Sequence, residues 1–166
     1  THFRVFDLTT GNTKPSYFHN SLNGYHAAKM KRYDDVFNFY IAQNHLGVLN
    51  MLNTKYIIAQ NEEGEVFPYS NTDANGNAWF ISELEQKSSA NEEIMALDSL
   101  DNKTKAVYTG FDGLQNEFLV DSLATIKLVK YKPNYLNMNL VIPMKDLQFF
   151  QKTIMLKVGT LILMEK

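Results

Sequence analysis

Between Tyr33 and Ala59 the hydrophobic period changes from helical to extended, and this change limits the fold more than any other feature of the chain. Tyr33, Val36, Phe37, Tyr40 and Ile41 stand at the i, i+3, i+4, i+7, i+8 spacing that lines one face of a helix. Asn44 and Gly47 interrupt the stripe, and Val48, Leu49, Met51 and Leu52 predict a second, short helix. Residues 55–59 (KYIIA) are then rich in β-branched and aromatic side chains over a run too short for a helix, which predicts a central strand. Helices and strands that follow one another this closely must pack against each other.

The remaining segments extend the same reading. Residues 3–7 (FRVFD) alternate and predict a first strand, followed by a turn-rich loop over residues 9–15. Residues 66–69 predict a short edge strand stopped by Pro68, residues 71–77 (NTDANGN) a turn, and residues 78–84 (AWFISEL) a further strand. Ser89 and Glu92 have capping-box spacing and predict a helix over 90–97. A short strand is expected at 106–109, and residues 122–131 hold the strongest period-two alternation. No internal repeat is present. The fold class is α+β: an N-terminal helical half packed on a mixed sheet, followed by an incomplete, β-rich, sandwich-like half.

Composition narrows the function classes. With 166 residues and 45% hydrophobic content, the chain can bury a real core. A net charge of −2 argues against a dedicated nucleic-acid binder, which would carry a strongly basic balance. The absence of cysteine removes disulfides, zinc–thiolate sites and cysteine nucleophiles together. No initiating Met precedes Thr1, so an excised or processed piece is expected. No apolar run reaches the roughly 20 residues of a membrane span. The nearest, residues 153–164, contains Lys157.

Candidate chemistry concentrates in residues 16–33 (SYFHNSLNGYHAAKMKRY), expected to open as a loop and close as an amphipathic helix. Tyr17, His19, Tyr25, His26, Lys29 and Arg32 can hold a sugar or an anion, because aromatic faces stack on sugar rings and Lys and Arg donate charge-assisted hydrogen bonds. His26, Lys29 and Tyr33 are spaced to share a helix face. The competing interpretation, preferred on residue chemistry alone, packs Tyr25 and the histidines between helix and sheet and leaves Lys29, Lys31 and Arg32 as a solvated face.

Other chemistries lack support. His19 and His26 do not have the spacing of a zinc-binding helix, no G-x-S-x-G marks a serine nucleophile, and Gly110 and Gly113 belong to a turn rather than a phosphate loop. Trp79 is expected in the core rather than as a sugar platform. No catalytic residue, metal or cofactor is therefore assigned. Asp98-Ser99-Leu100 and Asp121-Ser122-Leu123 match a short bacterial O-glycosylation pattern, which agrees with export, whereas the sequon at Asn102-Lys103-Thr104 carries little weight.

Three blocks together resemble a known family. FRVFDLTTGN, SYFHNSLNGYHAAKMKRYDD and VLNMLNTKYIIAQNEEGEVFPYSNTDANGNAWFISEL resemble the extracytoplasmic region of YfhO-type bacterial membrane proteins, especially those of Bacteroides-like bacteria. The resemblance covers residues 3–136. It implies one α+β extracytoplasmic domain over 1–136, cut from a large multi-spanning protein related to polyprenyl-phosphate-dependent membrane glycosyltransferases. It also implies a periplasmic location on the inner membrane and partners in the membrane-embedded part of the parent and in glycan or lipid-linked sugar. The acidic catalytic loop expected in such a parent is absent from this chain, so enzymatic activity is not expected of the fragment.

After Leu136 the resemblance stops. The family continues with a segment of the type FSE-x-YY-x-x-GW-x-x-x-x-DG, where this chain has DLQFFQKTIMLKVGTLILMEK. Codons for this segment can be chosen so that the same bases, read one position over, give GLAVFSENYYAKGWNAYIDGK. Residues 137–166 are accordingly expected to be an out-of-frame tail, with a divergent tail as the alternative, and the missing strands would leave an incomplete sheet edge open to self-association. The functional expectation is a non-catalytic domain that supports glycan or lipid-linked sugar handling at the cell envelope. The alternatives are a freestanding carbohydrate-binding module and, less favoured, a small hydrolase.

Overall fold

The structure, a computed structural model, describes residues 2–9, 14–24, 27, 29–110, 112–132 and 135–142. The chain divides between Gly76 and Asn77 into two compact units. The class is α+β: among the described residues there are four α-helices, one π-helical turn and seven strands.

The first unit is built on a three-stranded sheet of order β1-β2-β3, with β1 (Arg4–Asp7), β2 (Thr54–Gln60) and β3 (Val66–Ser70). β1 runs parallel to β2, and β3 antiparallel. A parallel pair needs a long crossover. Here it carries α1 (Lys14–Phe18), α2 (Lys31–Val36), a π-helical turn (Phe37–Ile41) and α3 (Leu46–Met51). The expected stripe is continuous across α2 and the π turn: Tyr33, Val36 and Phe37 are half-buried and Tyr40 and Ile41 buried. The wider turn is closed by the Ala42 N–H donating to the Phe37 carbonyl at 2.8 Å.

The LNMLNTKYII block is structural. Val48, Leu49, Leu52 and Ile57 join Val5, Phe6, Leu22, Tyr40 and Ile41 among the buried apolar residues. Each such side chain contributes about 1.5–3 kcal/mol on leaving water. His45 caps α3, its Nδ1 accepting the Val48 N–H at 3.3 Å. Asn53 ends the helix region with φ of 54°, the left-handed conformation that asparagine tolerates better than most residues. Its Nδ2 donates to the His2 carbonyl at 2.8 Å, and its own carbonyl accepts the Arg4 N–H at 2.9 Å. The helix end is thereby pinned to the start of β1. Asn71 donates from Nδ2 to Asn50 Oδ1 at 2.7 Å and to the Thr54 carbonyl at 2.9 Å, closing the far side of the same corner.

Two sequence expectations are corrected in this unit. Pro68 does not stop β3 but sits opposite Ile58 within it. The Ile58 carbonyl accepts from the Leu8 N–H, so Ile58 turns its polar groups toward β1, and the missing N–H of Pro68 costs the ladder nothing. The turn-rich loop expected to run into Ser16 is instead helical from Lys14. Buried Pro15 occupies the first turn, where its fixed φ suits a helix and no donor is required. Residues 10–13 of that loop lie outside the described residues.

The second unit contains β4 (Glu83–Gln86) and β5 (Lys105–Tyr108), paired in parallel, with α4 (Ala90–Ala96) between them. The Ser89 cap is present: its Oγ accepts the Glu92 N–H at 3.2 Å, while the Glu92 carboxylate reaches back to Ser88. Ile81, Leu84, Ala106 and Tyr108 form a buried cluster, with Trp79, Leu114 and Phe118 packed against it. The strand expected over 78–84 begins only at Glu83, where pairing with Lys105 starts; Trp79 and Ile81 precede it and pack in or against the cluster. β6 (Thr125–Lys132) and β7 (Tyr135–Val141) form an antiparallel pair with a bulge between Leu128 and Lys130. The boundary expected after Leu136 falls inside β7. Of the tail expected out of frame, residues 143–166 lie outside the described residues.

Candidate functional site

The end of α1 is held against the sheet by backbone bonds. The Asn20 carbonyl accepts the Val5 N–H at 3.0 Å, and the Leu22 N–H donates to the Val5 carbonyl at 3.1 Å, so this segment runs alongside β1. Asn23 adds an Nδ2 bond to the Asp7 carbonyl at 2.9 Å. Leu22 is buried, and the residues just before it are therefore fixed at a rigid edge while their side chains stay outside.

Those side chains make a shallow concavity of about 350 Å³ lined by Phe3, Ser16, Tyr17, Phe18, His19 and Asn20. This is near the small end of the ligand-site range. Tyr17 is 85% exposed and Phe18 69%, unusual values for large aromatic residues. Their rings meet edge to face, with centroids 5.0 Å apart and planes at 77°. His19 lies beyond, 6.5 Å from Phe18. On the other wall Phe3 meets Tyr56 edge-on at 5.3 Å, and Lys55 Nζ stands 5.6 Å from the Phe3 ring centre. Among the described residues no carboxylate lines the concavity. The Tyr17 hydroxyl, the His19 imidazole and the Asn20 carboxamide make no hydrogen bond within the described structure. They are available to a polar ligand.

The start of α2 is arranged differently. Lys29 Nζ lies 3.8 Å from Asp34 Oδ1 and 5.1 Å from the Phe37 ring centre. Lys31 and Asp35 form an i,i+4 ion pair at 2.5 Å, and this hydrogen bond and charge raise the Lys31 pKa above its ordinary value. The Tyr33 hydroxyl donates to the Leu22 carbonyl at 3.0 Å; burial pushes its pKa up, against an opposing pull from Arg4. Arg32 is an exposed residue of α2.

Of the six expected ligand residues, Tyr17 and His19 come together in the concavity. Arg32 lies on α2, whereas Lys29 precedes the helix, which starts only at Lys31, so the helix face it was expected to share with Tyr33 does not form there; Tyr25 and His26 lie outside the described residues. Sequence reading missed Phe3, Ser16, Phe18 and Asn20. The available signal was the adjacent Tyr17–Phe18 pair, because two neighbouring rings cannot both point to one side of an extended strand or into one narrow helix face. Trp79 is half-buried against the second unit's core, as expected, with its Nε1 buried and without a hydrogen-bond partner.

Among the described residues no group of three or more His, Cys, Asp or Glu side chains is placed to hold a metal, and no helix is long and apolar enough to cross a membrane. Comparison with protein-family models, with curated proteins and with solved structures finds no match.

Proposed function

We propose that this chain is a non-catalytic, glycan-holding domain of a YfhO-like membrane protein, working on sugar or lipid-linked sugar at the outer face of the inner membrane. One observation carries the ligand part. Two exposed aromatic rings at the concavity stand beside a hydroxyl, an imidazole and a carboxamide that no described protein group occupies. Sugar rings present C–H faces to aromatic planes and hydroxyls to such donors and acceptors. Binding rather than turnover fits the lining, because glycoside hydrolysis ordinarily uses a pair of carboxylates and none lies among the described lining residues. The parentage rests on the three resembling blocks, of which the second supplies Tyr17–Asn20.

The test is titration of the chain with a panel of soluble oligosaccharides and polyprenyl-phosphate sugars, followed by chemical shifts of Tyr17, Phe18 and His19. Saturable shifts confined to these residues, lost in Tyr17→Ala/Phe18→Ala, are expected. Release of free sugar from any panel member would overturn the non-catalytic assignment. A gene without flanking membrane spans would favour the freestanding carbohydrate-binding module.

A further inference from the structure

The bulge in β6 creates a feature that strand alternation alone would not. In an unbroken strand Lys127, Val129 and Tyr131 would share a face and Lys130 and Lys132 would take the other. The observed register pairs Lys127 with Asn139, Lys130 with Asn137 and Lys132 with Tyr135. Asn137, Asn139 and Tyr135 alternate along β7, so Lys127, Lys130 and Lys132 all stand on one face of the ribbon. Burial agrees: every member of this set is exposed, while Ile126, Leu128, Met138 and Leu140 on the opposite face are half-buried. The inserted residue, Val129, has therefore aligned three lysines that the pattern would have split between two faces.

The aligned face is cationic, with no carboxylate on its own two strands. Neither β6 nor β7 contains Asp or Glu, in a chain whose net charge is −2. Among the described residues no ion pair engages the three lysines, whereas Lys29, Lys31, Lys87 and Lys105 are all paired with carboxylates. Successive lysines are two paired positions apart, about 7 Å along the strand. Their cross-strand partners are Asn139, Asn137 and Tyr135, and tyrosine is a side chain enriched at membrane–water interfaces. The face holds no arginine, so it lacks the planar fork used for bidentate phosphate or base recognition, and the chain as a whole lacks a nucleic-acid binder's charge. The geometry points to a docking face for an anionic phospholipid surface, with Lys127, Lys130 and Lys132 spread over headgroup phosphates and Tyr135 at the interface.

Each lysine near such a surface adds appreciably to binding, and three together amount to about a hundredfold. The experiment is co-sedimentation of the full chain with phosphatidylcholine vesicles with and without phosphatidylglycerol. Binding only to the anionic vesicles, weakened by salt, is expected. The triple variant Lys127→Gln/Lys130→Gln/Lys132→Gln should lose about a hundredfold in affinity, with its thermal melt unchanged. Arginine at the three positions should restore binding and show that charge, not a folding defect, is responsible. A control triple, Lys31→Gln/Lys87→Gln/Lys103→Gln, changes net charge equally and should retain binding. Equal loss in the control, equal binding to neutral vesicles, or tighter binding to duplex or single-stranded DNA than to anionic vesicles would each overturn the assignment.

Discussion

The end of α1 and the start of α2 belong to one stretch rich in aromatic and basic residues, yet they use those residues in opposite ways. Around α2, Lys29 and Lys31 are matched to Asp34 and Asp35, and Tyr33 is tied to the Leu22 carbonyl. At the end of α1, Tyr17, Phe18, His19 and Asn20 are held from behind by β1 and left open in front. Basic character, the more conspicuous signal in the sequence, marks the internally satisfied region. The groups left open to a ligand instead sit where the described structure leaves rings and polar groups uncommitted. A buried or paired side chain has already given its interaction energy to the fold, whereas an exposed ring on a rigid edge retains it for a partner.

The contrast depends on the first unit's core, and its largest test is there. Leu49→Ala should cost about 2–5 kcal/mol in a denaturant melt, because Leu49 is fully buried and its neighbours cannot collapse far into the space. The resulting loss of the concavity would show that ligand binding is borrowed from the core. Next in size is Tyr17→Ala. It should weaken oligosaccharide binding by about tenfold, close to 1.4 kcal/mol, while leaving the melt in place. Lys29→Ala should leave that binding unchanged, and a matching loss in both variants would erase the distinction between the two regions.

A smaller effect probes how the rigid edge is set. Asn53→Ala should lower stability by about 1–2 kcal/mol, since alanine is disfavoured at φ of 54° and the bond to the His2 carbonyl is lost. Asn53→Gly should cost less, because glycine accepts the conformation and only the side-chain bond disappears. The smallest effect concerns pH and the second unit. Hydrogen bonds from the Ser88 hydroxyl and N–H hold the Glu92 pKa below its ordinary 4.5. A depressed carboxylate stabilises above its unfolded pKa, and the contribution disappears as pH falls through the folded value. Glu92→Gln should therefore flatten the acid limb of a pH–melting curve slightly and leave the curve above pH 4.5 parallel to that of the parent.

Much of the architecture was legible because period and caps are local. The Tyr33–Ile41 stripe, the β2 strand, the Ser89 cap and the alternation of β6 were all readable from neighbouring residues. What escaped depends on pairing. Pro68 reads as a strand stop until Ile58 is known to face β1, and the lysine row of β6 exists only because a bulge shifts the register at Val129. The site was half legible for the same reason. Tyr17 and His19 could be chosen by chemistry, but Phe3 reaches them only through the alignment of β1 with the segment after α1.

The most direct measurement of the central claim is an NMR titration of the full chain with soluble and lipid-linked sugars, run in parallel on the parent, Tyr17→Ala/Phe18→Ala and Lys29→Ala. The expected result is saturable shifts at Tyr17, Phe18, His19 and Asn20 in the parent and in Lys29→Ala, and none in the aromatic double variant. Shifts centred on Lys29, Lys31 and Arg32, or shifts that persist without Tyr17 and Phe18, would contradict it.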